Sequence, residues 1–244
     1  MFDFHLHLVR LPHPKRLAAT LSGRNFHFNA IACDPWEWEV LQKMDSDLFE
    51  GSTRSYGIHP RLAADVTEAD WERLEALLDN DPEANVGECG LDRRYSGYTN
   101  DEEYALLQDE VFKRQASLAR DLHRDLHIHC VGDYGRIIGM LVDCGYPKEN
   151  PSGKVIFHRF GGDISAVKSA QVLNPVFSLH ADSFRKKSTL EAISQIPAGQ
   201  VQFETDADEK FHVPANKNEE ETVSLTIDAL TAQLDETEKA FKKL

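Results

Sequence analysis

The sequence predicts an α/β chain folded as a (β/α)8 TIM barrel in a single domain spanning residues 1–244. Short apolar, strand-like runs alternate with amphipathic helical patterns almost from end to end, and eight such runs can be counted. No Pro/Gly/Ser linker, low-complexity tract or tight repeat divides the chain. A doubly wound open sheet is the structural competitor, but its phosphate loop, GxGxxG after the first strand, is absent.

The first run, 2–8, reads FDFHLHL. Strand alternation puts Asp3, His5 and His7 on one face and Phe4, Leu6 and Leu8 on the other. The second and third runs are 26–33 and 53–58. The helix of TEADWERLEALL follows, with Trp71, Leu74 and Leu78 at helical spacing behind a Thr67-x-x-Asp70 capping pair. The fourth run, 84–88, ends at Glu88. The stretch EEYALLQDEVFKRQASLARDL predicts a helix with Tyr104, Leu107, Val111 and Leu118 on one face. Runs 126–130, 154–158, 175–179 and 201–205 supply the last four strands. A final helix over about 218–243 carries Val223, Ile227, Leu230 and Leu234.

Composition narrows the function. Hydrophobic residues make up 41%, ordinary for a globular chain, and no apolar run approaches the roughly eighteen residues of a membrane span. With no signal-peptide pattern at its start, the chain is expected to be cytoplasmic, with no membrane partner. Cys33, Cys89, Cys130 and Cys144 are widely spaced, which suits reduced thiols and argues against a disulfide framework. Alternation turns Cys89 and Cys130 away from the strand face of their neighbours. The net charge of −14 disfavours a broad basic surface for nucleic acid, because phosphate contacts need Lys and Arg. The acidic clusters at 101–103, 109–110 and 219–221 read as solvated helix starts or faces.

A barrel gathers its chemistry at the C-terminal ends of its strands. His5 and His7, His59, Glu88, His129, His158 and Asp206 all fall there. Such groups are costly to bury unless paired or bound to a metal. Four imidazoles (His5, His7, His129, His158) and two carboxylates (Glu88, Asp206) form a ligand set for one or two divalent ions, since neutral histidine suits zinc, manganese, iron or nickel. Glu88, alone among the histidines, takes the bridging role. Asp206 can ligate an ion and take a proton from its bound water, whose pKa the ion lowers toward neutrality. The chemistry implied is hydrolysis, with Asp206 and Glu88 as catalytic residues.

Other residues are weighed against plainer roles. His59 reads equally as a substrate contact or as a hydrogen-bonding residue in the turn before Pro60. Arg159 meets substrate or forms an ordinary salt bridge, and His180 follows strand seven within reach of the mouth. His127 lies two residues before His129 and one layer deeper. Glu204 shares the inward direction of Asp206, and both it and His127 read as supports for ligating groups. His13, His27, His123 and His212 carry no pattern and read as structural or surface residues.

These motifs together resemble the TatD-type metal-dependent deoxyribonucleases of the amidohydrolase superfamily of TIM barrels. The resemblance covers nearly the whole chain: FDFHLHL for D-x-H-x-H-L, YGIHP for G-x-H-P, VGECGLD for G-E-x-G-L-D, F-x-x-Q-x-x-L-A from Phe112 to Ala119, VIFHRFGG for H-x-F-x-G, and FETD for E-T-D. It implies metal ligands at His5, His7, Glu88, His129, His158 and Asp206, with one or two divalent ions, zinc, manganese or magnesium. It also implies nuclease activity on DNA. The chain departs from the family in two places. Val131 stands where an arginine is common, and where a small residue, Pro and an aromatic usually follow E-T-D this chain has Ala207, Asp208 and Glu209. Added negative charge at the mouth repels a polyanion. A small amide, lactone or phosphoester is therefore an alternative substrate, and a non-catalytic binding or scaffold barrel is the alternative from another class.

Overall fold

A computed structural model describes residues 1–95, 102–146, 153–211 and 218–244. Eight strands form one sheet in sequence order: β1 (Phe2–Leu6), β2 (His27–Ala32), β3 (Thr53–Tyr56), β4 (Asn85–Asp92), β5 (Leu126–Val131), β6 (Val155–Phe157), β7 (Val176–Leu179) and β8 (Val201–Phe203). Every neighbouring pair is parallel. The sheet closes through the segment after β8. Leu6 bridges Ala207, the His7 amide donates to the Ala207 carbonyl at 3.1 Å, and the Asp206 amide donates to the His5 carbonyl at 2.9 Å. The expected (β/α)8 barrel is the fold observed.

Helices α1 (Pro14–Gly23), α2 (Pro35–Leu41), α3 (Glu68–Asn80), α4 (Glu102–Asp121), α5 (Tyr134–Asp143), α6 (Ile164–Ala170), α7 (Lys187–Ile193) and α8 (Glu219–Phe241) lie in the intervals and after β8. Their starts follow local chemistry. In α3 both halves of the Thr67–Asp70 capping box form, and Asp34 caps α2 ahead of Pro35. Asn218 caps α8, whose first turn holds Glu219, Glu220 and Glu221 where the helix dipole favours negative charge. One hydrophobic cluster runs between helices and sheet, from Leu6, Phe28 and Trp38 to Phe177, Ile227 and Leu230. Among the described residues no helix is long and apolar enough to cross a membrane.

Three expectations change. β4 does not stop at Glu88 but continues four residues to Asp92, after a register shift against β5 between Gly87 and Cys89. Gly90 permits this at φ 136, because a Cβ there would lie 2.0 Å from the His129 carbonyl oxygen. In α4, Tyr104, Leu107 and Leu118 are only half-buried, and the most buried stripe runs through Gln108, Val111, Phe112, Gln115, Ala116 and Ala119. Asp109 is buried rather than solvated, with a two-pronged salt bridge from the Arg136 guanidinium. All four cysteines are free, three of them buried and Cys144 half-buried. Asp101 and His212 lie outside the described residues.

Candidate metal centre

Local hydrogen bonding anchors the first ligand candidates. Asp3, fully buried, accepts from the His5 amide at 3.2 Å, from the Thr205 amide at 2.9 Å and from the Thr205 hydroxyl at 2.5 Å. It therefore fastens β1 to the segment after β8 and brings His5 and Asp206 to the same place. His7 stands just beyond β1, His158 just beyond β6, and Asp206 three residues past β8. His129 and Glu88 lie within their strands, β5 and β4.

Glu88 is at the middle of the cluster, and its two oxygens face different histidines. Oε2 lies 3.6 Å from His5 Nε2 and 3.5 Å from His7 Nε2. Oε1 lies 2.7 Å from His129 Nδ1, 2.7 Å from His158 Nε2 and 3.7 Å from His59 Nε2. Asp206 Oδ1 completes the His5–His7 side, at 3.8 and 3.5 Å from their Nε2 atoms. The His5 and His158 rings stack with centroids 3.9 Å apart. Among the described residues four overlapping trios each bring one donor atom per residue within 4.8 Å: His5–His7–Glu88, His5–His158–Asp206, His59–Glu88–His129 and His7–Cys33–Glu37. All six residues expected as ligands thus meet at one end of the barrel, with His59 beside them.

The electrostatics follow from this packing. Burial pushes Glu88 upward, but the His158 charge, with hydrogen bonds from His129 and His158, outweighs it and holds the carboxyl well below its usual range. Burial likewise opposes ionisation of Asp206, yet the His7 hydrogen bond and the His158, His5 and His7 charges bring it down. His158 and His129 are drawn upward against burial by these same carboxylates and by Glu204 and Asp92. Burial lowers His5, aided by His158, and takes His59 down to about 3, so that ring is neutral.

The donor set fits a cation. His5 Nδ1 and Nε2, His7 Nδ1, His129 Nε2, His158 Nδ1 and Glu204 Oε2 are buried without a hydrogen-bond partner. Polar atoms in that state cost about 1–3 kcal/mol each. Of these atoms His5 Nε2 is the one that faces Glu88 and Asp206, where a cation would offset its cost, and the two ionised carboxylates supply the compensating charge.

The remaining candidates occupy distinct positions. Glu204 Oε1 is 3.4 Å from His158 Nδ1 and also accepts from the Arg159 amide. His127 lies deeper, where the Asn29 amide nitrogen approaches its Nε2 at 3.1 Å. His59 Nδ1 accepts from the Arg61 amide at 3.1 Å, capping the turn over Pro60–Leu62, and His180 Nδ1 accepts from the Asp182 amide at 3.0 Å in the same manner. Arg159 donates to Asp206 Oδ2 at 2.6 Å and to Asp182. Cys89 is fully buried, and Cys130 borders the groove beyond His129.

Sequence reasoning missed Asp92. Its buried carboxylate accepts from Arg61 Nη2 at 2.7 Å and lies 3.5 Å from His129 Nε2. The signal was its spacing, since positions 88, 90 and 92 share a strand face. Arg10 and Glu37, paired beside Cys33, were also missed; Cys33 Sγ is 3.6 Å from Glu88 Oε2. A groove of about 850 Å³ runs from His129 past Arg61, Arg94, Arg159, Arg185 and Lys186.

With this geometry in place, the sequence model of the family described as TatD related DNase matches residues 2–244. The chain belongs to that family. The 3'-5' ssDNA/RNA exonuclease TatD of Pectobacterium atrosepticum is 25% identical over 154 residues, 62% of this chain and 56% of that protein. The uncharacterized metal-dependent hydrolase YabD of Bacillus subtilis is 28% identical over 152 residues, again 62% and 56%. The matched part of this TatD-family chain thus spans just over half the length of either relative. Among solved structures, the TatD homolog YJJV of Escherichia coli shares the fold with a TM-score of 0.70 at 18% identity, over 100% of this chain and 95% of that one.

Proposed function

We propose that this TatD-family chain is a divalent-metal-dependent hydrolase that cleaves phosphodiester bonds of nucleic acid. The observation that carries the reading is Glu88 presenting one oxygen to His5 and His7 and the other to His129 and His158. His5, His7, Glu88 and Asp206 would hold one divalent ion, and Glu88, His129 and His158 would hold a second. Zinc, manganese and magnesium are the ions of choice. When bound, such ions polarise a phosphoryl oxygen and make water a better nucleophile at neutral pH. Asp206, kept ionised by the surrounding histidines, takes the proton of the attacking water on Oδ1, the oxygen turned toward His5 and His7. Glu204 orients His158, and Asp92 orients His129. His59 and His180 border the substrate while capping their turns. The reading takes residues 1–244 as one catalytic unit, in keeping with the single sheet and core. Four unpaired cysteines suit a reducing compartment such as the cytoplasm.

Metal-supplemented cleavage of single- and double-stranded DNA by the wild type, His129→Ala and Asp206→Ala tests this. Both variants are expected to lose about 100-fold or more; equal cleavage by all three preparations overturns the proposal. The relatives named as ssDNA/RNA exonucleases favour a polynucleotide. Val131 and the Asp208–Glu209 pair at the mouth favour instead a small amide, lactone or phosphoester. Cleavage of such compounds with DNA left intact selects that second reading. A scaffold without chemistry is disfavoured by His5 Nε2, buried without a hydrogen-bond partner beside Glu88 and Asp206, a state that is destabilising without a cation.

A further inference from the structure

We propose that Arg159 is a positioning residue for Asp206, fixing which carboxylate oxygen faces His5 and His7; the inference rests on the metal-hydrolase reading above. Arg159 follows His158 with its backbone in the left-handed region, φ 43, a conformation that costs a non-glycine residue about 1–2 kcal/mol. The conformation is held from within the barrel. The Arg159 amide donates to the fully buried Glu204 carboxylate, the same group that approaches His158 Nδ1. From that fixed base the guanidinium spans two acids, donating from Nη1 to Asp206 Oδ2 at 2.6 Å and from Nη2 to Asp182.

Asp206 needs such a restraint. β8 ends at Phe203, and although its amide is held by the His5 carbonyl, Asp206 is left-handed at φ 49, so regular strand alternation does not set the direction of its side chain. With Oδ2 taken by Arg159, Oδ1 is the oxygen left at 3.5–3.8 Å from the His7 and His5 rings. An exposed ion pair does little, but Asp206 is only 10% exposed, and a guanidinium tied at both ends loses little further freedom on bonding it. Asp182 also offsets the guanidinium charge. Arg159 can then hold Asp206 without adding net positive charge beside a cation. Asp182 is in turn paired with Arg185 at 2.8 Å, which fixes the outer end of the bridge.

Arg159→Gly removes the guanidinium while keeping a residue that adopts positive φ freely, so the His158–Glu204 contact survives. The wild type and this variant are loaded with Co(II), and both the visible absorption of the bound ion and the hydrolysis of bis(p-nitrophenyl) phosphate are measured. In the variant the Co(II) band is expected to change, and kcat to fall by about 10- to 100-fold with KM unchanged. Free guanidinium at a sub-denaturing concentration restores both, Arg159→Lys restores part, and Asp182→Asn shows the same change in smaller degree. An unaltered Co(II) band with unaltered kcat overturns the inference, as does a rise in KM alone, which makes Arg159 a substrate contact. Absence of cobalt uptake by the wild type instead overturns the parent reading, so the two failures are told apart.

Discussion

Gln115 is the residue whose replacement most directly tests how α4 supports the centre. It is fully buried, its Oε1 accepts from the Ile58 amide at 2.7 Å, and its Nε2 donates to the Ile58 carbonyl at 3.0 Å. One side chain therefore satisfies both backbone groups of the residue before His59, beyond the end of β3. Gln115→Leu keeps the volume and removes both bonds. Leaving a buried amide and carbonyl unpaired costs about 1–3 kcal/mol each, and the added apolar burial returns about 1 kcal/mol, for a net loss of about 1–5 kcal/mol. At 244 residues each kcal/mol shifts the melting temperature by about 2–4 °C, so the midpoint falls by about 2–20 °C. Thermal unfolding followed by circular dichroism, at one fixed metal concentration, reads this out. Were Gln115 merely filling space, leucine would be neutral or stabilising. A midpoint unchanged or raised in Gln115→Leu therefore refutes the clamp.

Two further outcomes follow from the cluster and its surroundings. Removing divalent ions with a chelator is expected to lower the melting temperature, and zinc, manganese or magnesium at about 100 times its dissociation constant adds back about 2.7 kcal/mol, or about 5–11 °C, in calorimetry; identical melting curves in every condition speak against a cation at the Glu88 cluster. Burial first, then the nearby Glu37 and Glu88 carboxylates, pushes the Cys33 thiol well above its usual range; burial and Glu88 do the same to Cys89, and burial raises Cys130. A raised folded pKa keeps these groups as unreactive thiols through neutral pH, so iodoacetamide at pH 7.5 is expected to label half-buried Cys144 first and the other three only on unfolding. Mass spectrometry of the native protein checks this, and early labelling of Cys33 contradicts it.

What the sequence disclosed depended on local regularity. Eight strands were visible because each is a short apolar run bounded by turn residues, and six donor residues were visible because alternation and strand-end position assign a direction to a side chain without any tertiary knowledge. Asp92 escaped because CGLD holds a glycine and an aspartate, residues that predict the end of a strand, whereas the close approach of β4 to His129 makes glycine the residue that fits at position 90. The face of α4 was misjudged for a related reason: Gln108, Asp109 and Gln115 are buried by specific partners, namely the Asp92 amide, the Arg136 guanidinium and the Ile58 backbone, and a hydrophobic pattern scores such residues as solvent-facing.

The buried glutamines explain why a motif of the F-x-x-Q type is useful to the fold. From α4, Gln108 grips the Asp92 amide at 3.0 Å and Gln115 grips Ile58, so one helix fixes the backbone at two points whose side chains, Asp92 and neighbouring His59, both touch His129 or its surroundings. Neutral amides suit this task better than charged groups, since each pairs with a peptide unit and adds no net charge beside the carboxylates and imidazoles. The centre's charge balance is thereby left to Glu88, Asp206 and their histidines. The acidic surface, with its net charge of −14, can vary outside this shell without moving the donor atoms that a cation requires.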